Sequence, residues 1–548
     1  MRMLTTVLGQ ATVFSQAIAL NMVCIFILGT SVHAQINIGE LNPANAYDTG
    51  VLQPGAGGLD STLWQGTTAA RAAKLINETD TNATNPNANS AARDLILAAL
   101  LSGGVPPRSD DSLEHEAYRK AQLSTVLELG DLAAFDQLVS GAGISQNNPA
   151  FTKIFVVRAL LGDDTHTACA LGDTHSIERK APYWAKLRAF CHVVRSEIPA
   201  AELTADLLSR SGHEDKIFFD MLGKLTGSRP KIKIANVTTP LHIAMLGEVR
   251  KTDSLDIKNL PTILSARTAL DIKQPANDRL AALISSAHIL GTEQIRSVLG
   301  GLAASPLEDT QSLSGENTWD AQQWGEVYLA LVAGNDINIS ATLASALLVQ
   351  ADKSGVLLPI AAALEAQTSF IPTELLATNN AKIYARLAVS QRDTGALRSL
   401  FVTLEESDPL RARIALASDA LGGGFLLGEL GVDIETRLKD KAVRARAVRD
   451  TYIAVALGAN LSDTAMGVLF LTKLKGAAVN PGDLLSLHET SRRGAKAELA
   501  LRLAKIFSEI PPGQMRADSF AAILSAMTNA GMNGMAEQLA AQDLLNYD

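Results

Sequence analysis

The sequence predicts an all-α protein: an α-solenoid of antiparallel helical hairpins of the tetratricopeptide-like kind, led in by an irregular N-terminal segment. Three observations carry this expectation. Aromatic residues make up only 5% of a chain that is 47% hydrophobic, so the apolar content is mostly Ala and Leu, which lose little freedom in a helix. Strand-type alternation is confined to "KIKIANVT" (231–238), preceded by "GSRP", and reads as an irregular crossing between two helical arrays. A helix–break–helix pattern also recurs at "LELGDLAAFDQLV" near 130, "ALLGDDTHTACAL" near 162 and "VVRSEIPAAELTADLL" near 196. Its breaks fall about 32 to 34 residues apart, the period of helix–turn–helix repeats.

Taken in order, the chain begins with a span that carries no charge between Arg2 and Glu40. Within it, "IALNMVCIFILGTSVHAQ" places an apolar run before small residues, with Val32-His33-Ala34 as a cleavage signature before Gln35. The run is shorter than a bilayer-spanning helix needs, so residues 1–34 read as a signal peptide. The alternative is an uncleaved N-terminal anchor. Cys24 lies inside the run, without the small residues of a lipoprotein site before it. The expected compartment is therefore the periplasm, and no later segment is apolar for long enough to span a membrane.

Residues 35–110 open with a Gly, Asn and Pro-rich stretch and then turn helical. "STLWQGTTAARAAKLI" reads as a first helix, "NETDTNATNPNANS" as a break and "AARDLILAALL" as the next helix, ended by "SGGVPPR". A first helical-repeat array is expected over 111–230, a second over 240–400 and a third over 401–548. The pattern returns at "LALVAGNDINISATLASALL", "ARLAVSQRDTGALRSLF" and "LSAMTNAGMNGMAEQLA". Gly or an acidic residue at each break suits the left-handed end of one helix and the N-cap of the next. One such hairpin cannot bury its apolar stripe alone, whereas stacked hairpins can.

The stretch "CALGDTHSIERKAPYWAKLRAFC" holds Cys169 and Cys191, with His166 three residues before the first and His192 directly after the second. Pro182 suits the first turn of the helix carrying Cys191, and Tyr183, Leu187, Phe190, Cys191 and Val194 share one apolar face. Packed helices bring Cα atoms within the ~7 Å a disulfide requires, and an oxidising compartment favours the bond. Two reduced core cysteines are the competing reading. A metal site is disfavoured because Cys191 and His192 point to different sides of the helix, and His175 falls in a polar loop. No closely spaced C-x-x-C pair is present for redox chemistry.

No other motif carries chemistry. "EHEAY" (114–118) and "LHETS" (487–491) lack the second His of a zinc protease helix, and there is no G-x-S-x-G elbow. Gly422 to Gly424 follows a helical run, not the strand a dinucleotide site needs. Carboxylates such as Glu405-Glu406 and Asp215-Asp220 are too common on surface helices to assign. "RLKDKAVRARAVRD" (437–450) reads as a solvated amphipathic face, and Trp64, Trp184 and Trp324 as core anchors. The formal charge of −9, without a basic stripe, argues against a nucleic-acid partner. No catalytic residue, cofactor or metal ligand is assigned.

Trp64-Gln65-Gly66-Thr67, "GGVPPR" and "YWAKLRAFC" followed by an Ala-rich helix resemble, over residues 57–225, a family of uncharacterised exported α-helical proteins of Gram-negative bacteria. The architecture more loosely resembles tetratricopeptide-like repeat proteins. The resemblance implies an exported helical protein and no activity. The expected function is a periplasmic scaffold or adaptor that binds another cell-envelope protein or peptide. The alternatives are a peptidoglycan-acting enzyme with a helical superstructure, and a structural component of a large envelope complex.

Overall fold

The computed structural model describes residues 50–546 apart from 56, 80, 82–89, 176–180, 229–230, 251–259, 308–317, 335, 379, 424–436, 461, 464, 465, 468 and 470–472. The expected signal peptide and Cys24 lie outside the described residues. Ala46–Asp548 form one compact unit. Its described residues are helical, with isolated β-bridges and no strand. None of these helices is long and apolar enough to cross a membrane.

The helices run in chain order as α1 (Ala69–Asn77), α2 (Ser90–Leu101), α3 (Ser112–Glu128), α4 (Leu132–Gly141), α5 (Thr152–Leu161), α6 (Thr165–His175), α7 (Pro182–Val194), α8 (Ile198–Arg210) and α9 (Lys216–Leu225). The middle of the chain supplies α10 (Pro240–Arg250), α11 (Thr262–Leu270), α12 (Ala276–Ser286), α13 (Thr292–Gly300), α14 (Ala321–Ala333), α15 (Ile337–Lys353), α16 (Leu357–Thr368) and α17 (Thr373–Ala377). Then come α18 (Ala381–Ser390), α19 (Thr394–Thr403), α20 (Pro409–Ala420), α21 (Arg444–Ala456), α22 (Pro481–Arg492), α23 (Lys496–Glu509), α24 (Ala517–Asn529) and α25 (Asn533–Asn546). Residues 231–238 make no strand and pass as irregular chain around a 3-10 turn at Ile234–Asn236.

Short acidic residues start many of these helices. The carboxylates of Asp111, Asp131, Asp215, Asp320, Asp336, Asp393 and Asp408 each accept an N–H from the first turn they precede, satisfying donors that have no partner inside the helix. The first helix departs from expectation. It begins at Ala69, not near Ser61, because Ser61–Gly66 form turns and Gly66 takes a left-handed φ of 71°. Thr68 then caps α1 through Arg71 N. α6 also runs on through His175, which is helical and not in a loop.

The recurring breaks share one geometry. Gly130, Asp163 and Ser196, spaced at 33-residue intervals, all have φ between 62° and 81°. At each, the next residue's N–H reaches back to a carbonyl five positions earlier: Asp131 to Val126 at 3.2 Å, Asp164 to Ala159 at 2.9 Å and Glu197 to His192 at 2.7 Å. This is the 6→1 bond that closes a helix C-terminus. Arg392 (φ 55°) and the Asp393 N–H bond to Ala388 O at 2.8 Å repeat it further along. At Gly130 the conformation costs nothing because no Cβ is present.

Successive helices pack as hairpins: α5 on α6, α7 on α8, α11 on α12, α15 on α16, and α19 on α20. A one-dimensional stack would hold only such neighbour contacts, but here distant parts of the chain also meet. The broadest contact between any two described helices joins α2 to α23, and α25 packs on both α18 and α20. α2 consequently buries most of its length, with Ala92, Leu95, Ile96 and Ala98–Leu101 in the core, while Asp94 stays exposed.

Candidate functional site

Among residues marked in the sequence, Cys169 of α6 and Cys191 of α7 are joined by a disulfide, with Cα atoms 5.6 Å apart. Both side chains are buried in the core. The neighbouring histidines take no part. His192 turns its Nδ1 to Glu197 Oε2 at 2.6 Å, and Arg195 pairs with Asp173 across the same two helices at 2.5 Å. The bond closes a loop worth about 3 kcal/mol by chain entropy. Replacing both cysteines with Ser is expected to lower stability by about that amount in denaturant titration. Peptide mapping without reductant should recover a single linked pair.

A second node gathers three elements around Asp215. Its Oδ1 caps α9 through Phe218 N at 3.1 Å, while Oδ2 accepts from Lys186 of α7 at 2.6 Å and lies 3.1 Å from Nε2 of buried His242 on α10. Burial works against the Asp215 charge, but the Lys186 bond, the Phe218 N–H and His242 outweigh it and hold the carboxyl below the usual range. With partners on three elements, Asp215 ties α7, α9 and α10 together.

Two adjoining cavities lie elsewhere, where the N-terminal segment meets the C-terminal helices. Chain 51–59 crosses the C-terminal end of α2, where Val51 N and Leu52 N donate to Leu101 O at 2.6 and 2.9 Å and Leu59 N to Ser102 Oγ at 2.7 Å. These bonds use a helix-end carbonyl that has no partner within α2. Farther on, Ala497 N donates to Leu63 O at 2.8 Å and Arg493 to Gly66 O at 3.0 Å. Trp64 is buried beside these bonds, edge-on to Tyr118.

Glu498 of α23 is the centre of this seam. Its side chain is fully buried, yet Arg71 reaches it at 2.6 and 3.0 Å, Arg493 at 3.1 Å, Arg502 at 3.0 Å and Thr67 Oγ1 at 3.1 Å. Burial alone would raise its pKa. The hydrogen bonds and charges of Arg71 and Arg493 overcome that and bring the carboxyl down to about 2. Two residues earlier in α23, Lys496 forms a further ion pair with Asp60.

Beside the seam, the segment 437–450 departs from its expected solvated face. Arg446, Arg449 and Asp450 are all buried. Asp450 receives Arg437 at 2.7 Å and Arg446 at 2.8 Å. Arg449 grips Asp543 of α25 with two bonds at 2.8 and 2.7 Å and also donates to Met515 O at 2.6 Å and Pro512 O at 2.9 Å. A planar guanidinium suits such a forked arrangement.

Two adjoining cavities of about 330 Å³ each open along the seam. They share Gly57, Met535 and Gln538 as walls. The first carries the charged groups of Asp60, Lys496 and Arg392 on its walls; the second is more apolar, with Leu95, Phe507, Met527, Met535 and Leu539, and has Asp94 at its side. Nothing in the sequence marked these residues as one site, since they come from segments separated by up to several hundred positions. Among the described residues no group of three or more His, Cys, Asp or Glu is placed to hold a metal ion.

Comparison with protein-family models, curated proteins and solved structures finds no match to this chain.

Proposed function

We propose that this protein is a periplasmic helical-repeat scaffold, loosely tetratricopeptide-like and akin to the exported family its sequence resembles, that binds another envelope protein or a peptide from one. The observation that carries this reading is the pair of adjoining cavities along the seam, whose walls include the Lys496–Asp60 and Arg392–Glu537 ion pairs. A rigid concave site with an apolar floor and few polar groups is the usual form of a recognition site. The repeated left-handed breaks at 130, 163 and 196 support a hairpin-repeat frame. Exposed Leu203 and Leu207, one turn apart on α8, offer a second apolar surface of the kind that marks contact sites.

The test is a pull-down of tagged full chain from gently solubilised envelopes, run in parallel with a variant in which Met535→Trp fills the apolar cavity. A stoichiometric partner recovered by the parent and lost by the variant is the expected result. Release of muropeptides from purified sacculi by the protein alone would instead favour a peptidoglycan-acting enzyme and overturn the scaffold reading.

A further inference from the structure

We propose that the seam takes an extended peptide segment in which a basic side chain neighbours an aliphatic or thioether one, the apolar side chain filling the cavity between α2 and α25 and the cation meeting Asp94. The proposal rests on the scaffold reading above and specifies the segment such a scaffold would hold. The cavity's volume lies at the small end of the ~300–1,000 Å³ range of ligand pockets, enough for side chains. Met527 and Met535 line it, and unbranched thioethers adapt to varied apolar partners.

Charge selects the sign of the partner. In the adjoining cavity Lys496 is already paired with Asp60, and Arg392 with Glu537 at 2.6 Å and with Gly534 O. Asp94 accepts no hydrogen bond and makes no ion pair among the described residues. The adjacent Arg93 pulls on it only through space and donates instead to Leu129 O at 3.2 Å. Asp94 is exposed to solvent at the cavity wall, where an incoming cation can reach its carboxylate. An incoming ammonium or guanidinium supplies the counter-charge that the fold withholds. Gln538 spends its NH2 on Ser390 O at 3.1 Å, which leaves its amide oxygen to accept a peptide N–H.

The experiment measures fluorescence anisotropy of a fluorescein-labelled peptide alternating Leu and Lys, and of its Leu/Glu twin, against the full chain at roughly 0.15 M salt, where distant surface charges are screened. The Leu/Lys peptide should bind at least about tenfold more tightly, a ratio that marks a real contact. Asp94→Asn should remove most of that preference, while Asp206→Asn on exposed α8 should leave it intact. Met535→Trp should weaken the Leu/Lys peptide without touching the charge. Equal binding of the twins, binding of neither, or an Asp94→Asn preference equal to the parent's would overturn the assignment, with melting curves verifying that each variant is folded. Those outcomes leave the scaffold reading standing if the envelope pull-down still yields a stoichiometric partner; loss of that partner with peptide selectivity intact would sink the reading and spare the site.

Discussion

Glu498→Gln is expected to destabilise the protein by about 3–5 kcal/mol, the range seen when one member of a buried ion-pair group is removed. Three arginines converge on this carboxylate. The neutral amide would leave them repelling one another and would weaken the hold of α1 on α23. Over a cooperative unit of this size the shift in thermal midpoint is roughly 4 °C. The pH dependence identifies the cause. The folded carboxyl titrates at about 2 against an ordinary 4.5, so the unfolded chain binds the proton more readily. The stabilisation is complete above pH 4.5 and is lost as pH falls towards 2. Two and a half units correspond to about 3 kcal/mol. The parent should show that acid loss in urea titrations, and the Gln variant should show a flatter profile through the same window. A variant that keeps the full acid loss would contradict the role given to Glu498.

Arg449→Met is expected to cost a similar amount, because it strands the Asp543 carboxylate in the core and takes from the Met515 carbonyl its Arg449 donor. Arg449→Lys should recover little, since an ammonium cannot span both carboxylate oxygens and two carbonyls at once. The double variant Arg449→Met/Asp543→Leu should be markedly more stable than either single change. Removing both charges also removes the cost of burying one alone. Additive losses in that double-mutant cycle would show that the pair is not coupled.

Much of the helical frame was legible before the structure. Ala and Leu periodicity located the helices, and acidic residues after small breaks marked their caps, as at Asp131, Asp164 and Asp393. The breaks near 130, 163 and 196 were visible as a period, although only the backbone shows that non-glycine Asp163 and Ser196 adopt the left-handed turn. The disulfide was legible because Cys169 and Cys191 sit on the apolar faces of successive helices, and the two are joined. The segment 437–450 misled because Arg alternating with Ala and Val looks the same on a wet face and on a core face whose counter-charges arrive from elsewhere. Asp543 lies 94 residues from Arg449, and no local pattern records that meeting. The seam was illegible for the same reason on a larger scale: Thr67 and Glu498 are 431 positions apart.

That separation governs how the molecule can be assembled. α2, rich in Ala and Leu, emerges early in synthesis, but its broadest cover, α23, comes roughly four hundred residues later. Until those last helices are made, the chain has no way to shield it, and pairing of such distant segments is intrinsically slow. Any truncation that deletes α23 to α25 therefore takes away the main cover of α2's apolar side chains.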